Sequence, residues 1–187
     1  CALWFCWVEP PWLGLTAAYI AIALLLAQFA FIGHDAGHGS LSRNTSMNVM
    51  FGQLSMTLIT GLAFEEWIGR HRSHHKYCQD ESRDPDMEVA FVVSLTEASK
   101  RSKSALGRLM TRTQPVHIWL LSFLFGHSQR LMSQASVLRR PHLFWLDATM
   151  LIAHFALWFG VPCGLLGVSV ETALLAYLIP LTILGPY

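Results

Sequence analysis

The sequence predicts an all-α integral membrane protein: a helical bundle with transmembrane hairpins and a cytoplasmic cap rich in histidine. Three observations carry that expectation. Of 187 residues, 53% are hydrophobic and only 13% are charged, against about 25% charged in an ordinary soluble domain. All 13 lysines and arginines lie between Arg43 and Arg140, leaving 1–42 and 141–187 with none. Five of the nine histidines fall in two short clusters, His34 and His38 in "HDAGH", then His71, His74 and His75 in "HRSHH".

The elements follow in order. Residues 13–32 contain only Thr16 and Gln28 as clearly polar members, and 20 helical residues reach about 30 Å, the thickness of the hydrocarbon layer. Trp4, Trp7 and Trp12 precede this span and suit either the headgroup layer or a packed core. Residues 47–64 are apolar but diluted by Asn48, Gln53, Ser55, Thr57 and Thr60, with Gly52 and Gly61. Residues 65–114 are polar and basic, and 116–126 form an apolar run too short to span, which reads as an interfacial or buried helix. Residues 143–161 give a second span that carries Asp147 and His154, and 165–184 a third, with Glu171 near its start and Pro180 inside. Pro162 and Gly164 place a short turn between those two spans, making them a hairpin.

Lysine and arginine accumulate on the cytoplasmic side of membrane proteins. The basic block therefore sets 33–46 and 65–142 in the cytoplasm. Arg43 and Arg70 share that side only if 47–64 does not cross completely, so it is expected to re-enter or lie in the interface. The chain opens on Cys1 rather than methionine, lacks a basic leader, and reads as a piece of a longer protein. Cys1, Cys6, Cys78 and Cys163 show no C-x-x-C spacing, so they are read as free thiols, with a metal role for Cys78 the weaker alternative.

The two clusters carry the chemistry. Residues i and i+4 share one face of a helix, so His34 pairs with His38, while His71, His74 and His75 occupy i, i+3 and i+4. Neutral imidazole is the commonest protein metal ligand. Five ligands exceed what one tetrahedral metal needs and point to a higher-coordinate or two-metal site. Imidazole suits iron, copper, nickel and zinc alike, so spacing alone does not name the element. Asp147 and His154 lie seven apart on roughly one face of a span; polar groups inside membranes often mark function, and structural hydrogen bonding within the bundle is the preferred reading of the two. His117, His127 and His142 lack partners at helical spacing and read as ordinary residues.

"HDAGH" at 34–38 and "HRSHH" at 71–75, with the surrounding "GHDAGHGSLSRN" and the following "RDPD", resemble the first two histidine boxes of the membrane fatty acid desaturases. The resemblance covers roughly 10–187. That family has a third H-x-x-H-H box, absent from 76–187, so the metal site of this stretch is expected to be incomplete and the stretch alone inactive. The resemblance implies two iron ions held by His34, His38, His71, His74 and His75 as catalytic ligands, with O2 as co-substrate and two electrons consumed. It further implies a fatty acyl desaturase acting on a membrane lipid acyl chain. Asp35, Asp84 and Asp86 are candidates to orient a ligating imidazole.

The sequence has neither a haem-attachment C-x-x-C-H nor a G-x-G-x-x-G. The electrons are therefore expected from a separate protein, cytochrome b5 or ferredoxin in related systems. Arg70, Arg72 and Lys76 are candidates to dock an acidic donor. Lys100, Arg101, Lys103, Arg108 and Arg112 are candidates for anionic headgroups, with topology setting as the plainer role for both groups. No nucleic-acid partner is expected. Endoplasmic reticulum, plastid and bacterial plasma membrane all fit. Two other functions compete: a lipid or carotenoid hydroxylase or ketolase of the same superfamily, and a non-catalytic metal-binding membrane protein.

Overall fold

A computed structural model describes residues 12–80, 82–87, 93, 94, 96 and 104–185. The expectations for Cys1, Cys6, Trp4, Trp7, Lys100, Arg101 and Lys103 lie outside these residues. Among the described residues the secondary structure is helical, without a strand. The helices are α1 (Trp12–Gly37), α2 (Thr45–Thr60), α3 (Phe64–Tyr77), α4 (Ala105–Arg139), α5 (Trp145–Leu165) and α6 (Val170–Leu184). The chain divides into two compact units, one of residues 1–67 and 123–187, the other of 68–122.

In the first unit, α1 and α5 are long and apolar enough to cross a membrane, and only 28% and 11% of their most apolar windows are buried. Leu24, Leu25, Ile152 and Leu157 therefore face outward. In water such a surface would be an aggregation hazard; against hydrocarbon it costs nothing. Helix α6 is apolar but shorter. It starts where Ser169 accepts a hydrogen bond from the Thr172 amide, 3.2 Å, an ordinary serine cap.

Helix α2 begins the same way, with Asn44 Oδ1 accepting from the Ser46 amide at 2.9 Å. From Gln53 it widens into a π-helix that ends at Gly61, whose φ is +74°. A residue in that left-handed region favours glycine, and here it closes the helix by donating to the Thr57 carbonyl at 3.1 Å. The chain then bends by 107° into α3. A broken span and a re-entrant loop both take this form, and both need the freed backbone groups satisfied. Polar side chains of the same unit supply the partners. Gln134 donates to the Gly61 carbonyl at 2.9 Å, Trp158 Nε1 to that of Ile59 at 3.1 Å, and His154 Nδ1 to that of Leu58 at 2.8 Å. With Nδ1–H so used, His154 Nε2 is left to accept from the Tyr177 hydroxyl, 3.0 Å away. Asp147 and His154 both make structural hydrogen bonds within the bundle, His154 to the bend and to Tyr177 of α6, Asp147 to Gln53 and Thr57 of α2 and to the Glu65 and Glu66 amides of α3.

Two expectations change. Residues 116–126 are not a short separate helix but the middle of the 35-residue α4; their flanks are polar yet rich in good helix formers, and periodicity alone misses such continuations. The turn of the last hairpin is not at Pro162 and Gly164. A π-helix carries α5 through both to Leu165, and the Pro162 carbonyl accepts from the Val168 amide at 2.9 Å. Proline removes one backbone donor without ending the helix here.

The packing is close where glycines meet bulk. A Cβ on Gly61 would lie 2.6 Å from His154 Nε2, whereas one on Gly69 would meet nothing within 4 Å. Gly61→Ala is therefore expected to cost about 2–3 kcal/mol, from left-handed strain plus overpacking. Gly69→Ala should be neutral or gain up to about 1 kcal/mol of helix propensity. Thermal unfolding midpoints of the two variants in one detergent check the contrast.

Candidate metal centre

The first cluster sits where α1 ends. Gly39, φ +71°, lets the chain turn out of the helix, and its amide reaches the Ala36 carbonyl at 2.9 Å while Ser40 reaches that of Asp35 at 3.0 Å. The following loop is pinned by Asn48, which accepts from the Ser42 amide at 2.9 Å and donates to the Ser42 carbonyl at 2.8 Å. His34 and His38 accordingly lie side by side, their rings tilted by 57° with centroids 4.5 Å apart. Trp67 flanks His34, centroids 5.9 Å apart. Asp35, one of the three candidate acids, reaches His34 Nδ1 at 3.3 Å across an exposed surface.

Helix α3 carries the other cluster, on its residues 68–77, which belong to the second unit. Its charge distribution suits a helix: Glu65 and Glu66 in the first turn, His74, His75 and Lys76 in the last. The rings of His71 and His75 meet edge to face at 4.5 Å, and their Nε2 atoms lie 3.0 Å apart. His74 lies 6.2 Å from His71 and 5.7 Å from His75 by centroid. Its Nδ1 is held by Asp84, at 3.0 and 3.1 Å from the two carboxylate oxygens, with Asp86 Oδ2 at 3.2 Å.

Asp84 is the buried member, 5% exposed. It also accepts from the amides of Gln79, 2.8 Å, and Asp86, 2.9 Å. Its burial would raise the carboxyl pKa, but the bonds from His74, Asp86 and Gln79 outweigh that and hold it below the usual range. The Asp84 hydrogen bond raises the His74 pKa against a smaller burial effect, and the nearby charges of Asp86 and Asp84 reinforce the rise. Of the three acids singled out in the sequence, Asp84 and Asp86 meet one ring and Asp35 another.

The donor set fits an imidazole-ligated metal on its own geometry. With a metal–nitrogen bond of about 2.1 Å, two ligand nitrogens at right angles lie about 3.0 Å apart, the separation seen between His71 and His75. A ligating histidine normally gives its other ring nitrogen to a carboxylate, as His74 does to Asp84. Cys78 also brings its sulfur within 4.8 Å of the His74 and Asp84 ligand atoms, although it is exposed. Cys78 and Cys163 are free thiols. His127 bonds Thr182 at 2.9 Å and His117 lies 3.2 Å from Thr113 Oγ1.

Asp84→Asn keeps the shape but turns one oxygen into a donor facing His74 Nδ1–H. It is expected to weaken metal binding by about 10–100-fold, measured by competition with a chelator of known affinity.

Comparison with known proteins agrees with the geometry. The model of the family described as fatty acid desaturase matches residues 10–187. The chain is 30% identical over 169 residues to fatty acid desaturase 3 of Bos taurus, covering 84% of this chain and 37% of that protein. It is 27% identical over 173 residues to fatty acid desaturase 2-like protein FADS2B of Mus musculus, covering 90% and 35%. A Delta 8-(E)-sphingolipid desaturase of Komagataella phaffii is 34% identical over 86 residues, covering 46% and 16%. The chain thus spans little more than a third of the length of its mammalian relatives. No solved structure matches. With spans long and apolar enough for a bilayer and a family match that takes in both histidine clusters, the chain is a membrane protein and belongs to the fatty acid desaturase family.

Proposed function

We propose that the protein carrying this chain is an O2-dependent desaturase that introduces a double bond into a lipid acyl chain. His34, His38, His71, His74 and His75 hold two irons at the cytoplasmic membrane face. The observation that carries this reading is the second cluster: a converging His71–His75 nitrogen pair beside a His74 that is oriented by a buried Asp84. The names of the relatives, fatty acid and sphingolipid desaturases, support an acyl substrate. So does an apolar cavity of about 320 Å³ among α1, α2, α5 and α6, walled by Phe29, Ile59, Trp158 and Ala176.

Bound iron, with O2, two electrons and two protons, supplies the oxidising power to convert adjacent methylenes to a double bond and two waters. The chain does the rest. Asp84 fixes the Nδ1–H tautomer of His74 and so presents Nε2 as the ligand atom. The backbone amides of Gln79 and Asp86 hold that carboxylate in place. The apolar walls keep water from the hydrocarbon. Arg72 and Lys76, both exposed and four apart on α3, suit an acidic electron donor such as cytochrome b5 or ferredoxin, together with Arg70.

The test is expression of the protein carrying this chain with an electron donor, deuterated acyl lipid and mass spectrometry. Loss of two hydrogens is the expected product. Gain of oxygen would instead show a hydroxylase.

A further inference from the structure

We infer that Asp147 is a positioning residue for the second histidine cluster, acting through the first turn of the helix that carries it. Helices beginning in a membrane-embedded bend need partners for their leading amides. The usual local cap, Ser, Thr, Asp or Asn, is missing: Gly61, Leu62 and Ala63 precede α3. The cap comes instead from a residue 82 positions away.

Asp147 is fully buried. Its Oδ1 accepts from the Glu65 amide at 3.2 Å and its Oδ2 from the Glu66 amide at 3.1 Å. Gln53 Nε2 at 2.7 Å and the Thr57 hydroxyl at 3.3 Å also donate to Oδ1. Thr57 in turn accepts from the Phe64 amide at 3.0 Å, and Ser133 from that of Ala63 at 3.3 Å. Every amide from Ala63 to Glu66 therefore has a partner outside α3.

Two consecutive amides on the two oxygens of one carboxylate fix the phase of the helix as well as its end. A slip by one residue turns an α-helix by about 100°. His71, His74 and His75 follow on the same helix, so such a slip would swing all three rings together. The role rests on the assignment of these histidines as iron ligands.

Asp147→Asn tests it in the protein carrying this chain: one oxygen becomes an NH2 that opposes an amide N–H. Hydrogen exchange of the Glu65 and Glu66 amides should quicken at least about 10-fold, the loss of about 1.4 kcal/mol of protection. Iron retained per chain after dialysis should fall several-fold, and the Mössbauer signature of the remainder should change. Asp147→Glu, which keeps the carboxylate, should recover part of both. Gly126→Ala is a destabilised control away from the bend, its Cβ meeting Leu181 at 2.9 Å; it should move neither the Glu65–Glu66 exchange nor the iron. Unchanged exchange in Asp147→Asn, or faster exchange with wild-type iron retention and signature, overturns the positioning role. A wild-type protein that binds no iron overturns the ligand assignment instead, while the exchange arm still reads the cap.

Discussion

Alanine at His74 of the protein carrying this chain is expected, on the desaturase reading proposed above, to lower double-bond formation by at least about 10³-fold, equivalent to about 4 kcal/mol of lost transition-state stabilisation. Two losses combine. The proposed ligand, whose Nε2 is presented because Nδ1 is committed to Asp84, disappears. The Asp84 carboxylate, 5% exposed, is then left without its imidazole, and a buried carboxylate deprived of a partner reorganises or takes up a proton. His71→Ala and His75→Ala should be as severe, since each breaks the nitrogen pair 3.0 Å apart. His142→Ala, at an exposed position beyond α4, should stay within about twofold of wild type. Product yield by gas chromatography, normalised to protein in the membrane fraction, checks the series. A His74→Ala protein with wild-type yield would remove His74 from the metal site.

Gly52→Leu is expected to cost at least about 3 kcal/mol and to prevent accumulation of folded protein. A Cβ there would lie 2.3 Å from Phe64 Cζ and 2.4 Å from Cε2. The ring cannot withdraw easily. Phe64 is 3% exposed and packs with Ala36 and Met56 in the core beneath the first cluster. Its amide is tied to Thr57 at 3.0 Å. The clash is therefore with a side chain fixed at both ends. Small residues let membrane helices approach closely, and here the approach joins the last α-helical residue of α2, just before its π segment, to the start of α3. Gly52→Ala should be milder, and Phe64→Leu should recover part of its loss in the double variant. The measurement is monodispersity by fluorescence size-exclusion chromatography after mild heating. Simple additivity of the two substitutions would place the ring away from Gly52.

The spacing of the histidines alone made both clusters legible, because i, i+3 and i+4 positions on a helix share a face whatever surrounds them. Long apolar runs made α1 and α5 legible as spans, since bilayer thickness imposes length directly. The partners of those elements were harder to read. Asp84 stood among three candidate acids, and only the structure shows that it is buried against His74 and bound by the amides of Gln79 and Asp86. Asp147 was conspicuous as a charge inside a span, but its targets lie at Gln53, Thr57, Glu65 and Glu66, and no pattern local to Asp147 encodes contacts over 80 residues. The polar residues that dilute 47–64 were the available signal: Gln53, Thr57 and Thr60 are buried polar groups, and such groups need partners from elsewhere. The π-helical ends of α2 and α5 left no mark, because an i→i+5 register changes the hydrophobic period too little over eight or ten residues.

Metal analysis of the protein carrying this chain, purified without added chelator, tests the central claim most directly. Two irons per chain are expected, dropping sharply in His71→Ala, His74→Ala and His75→Ala and unchanged in His142→Ala. A folded wild-type protein with no stoichiometric iron, or iron content indifferent to all three cluster substitutions, would contradict it.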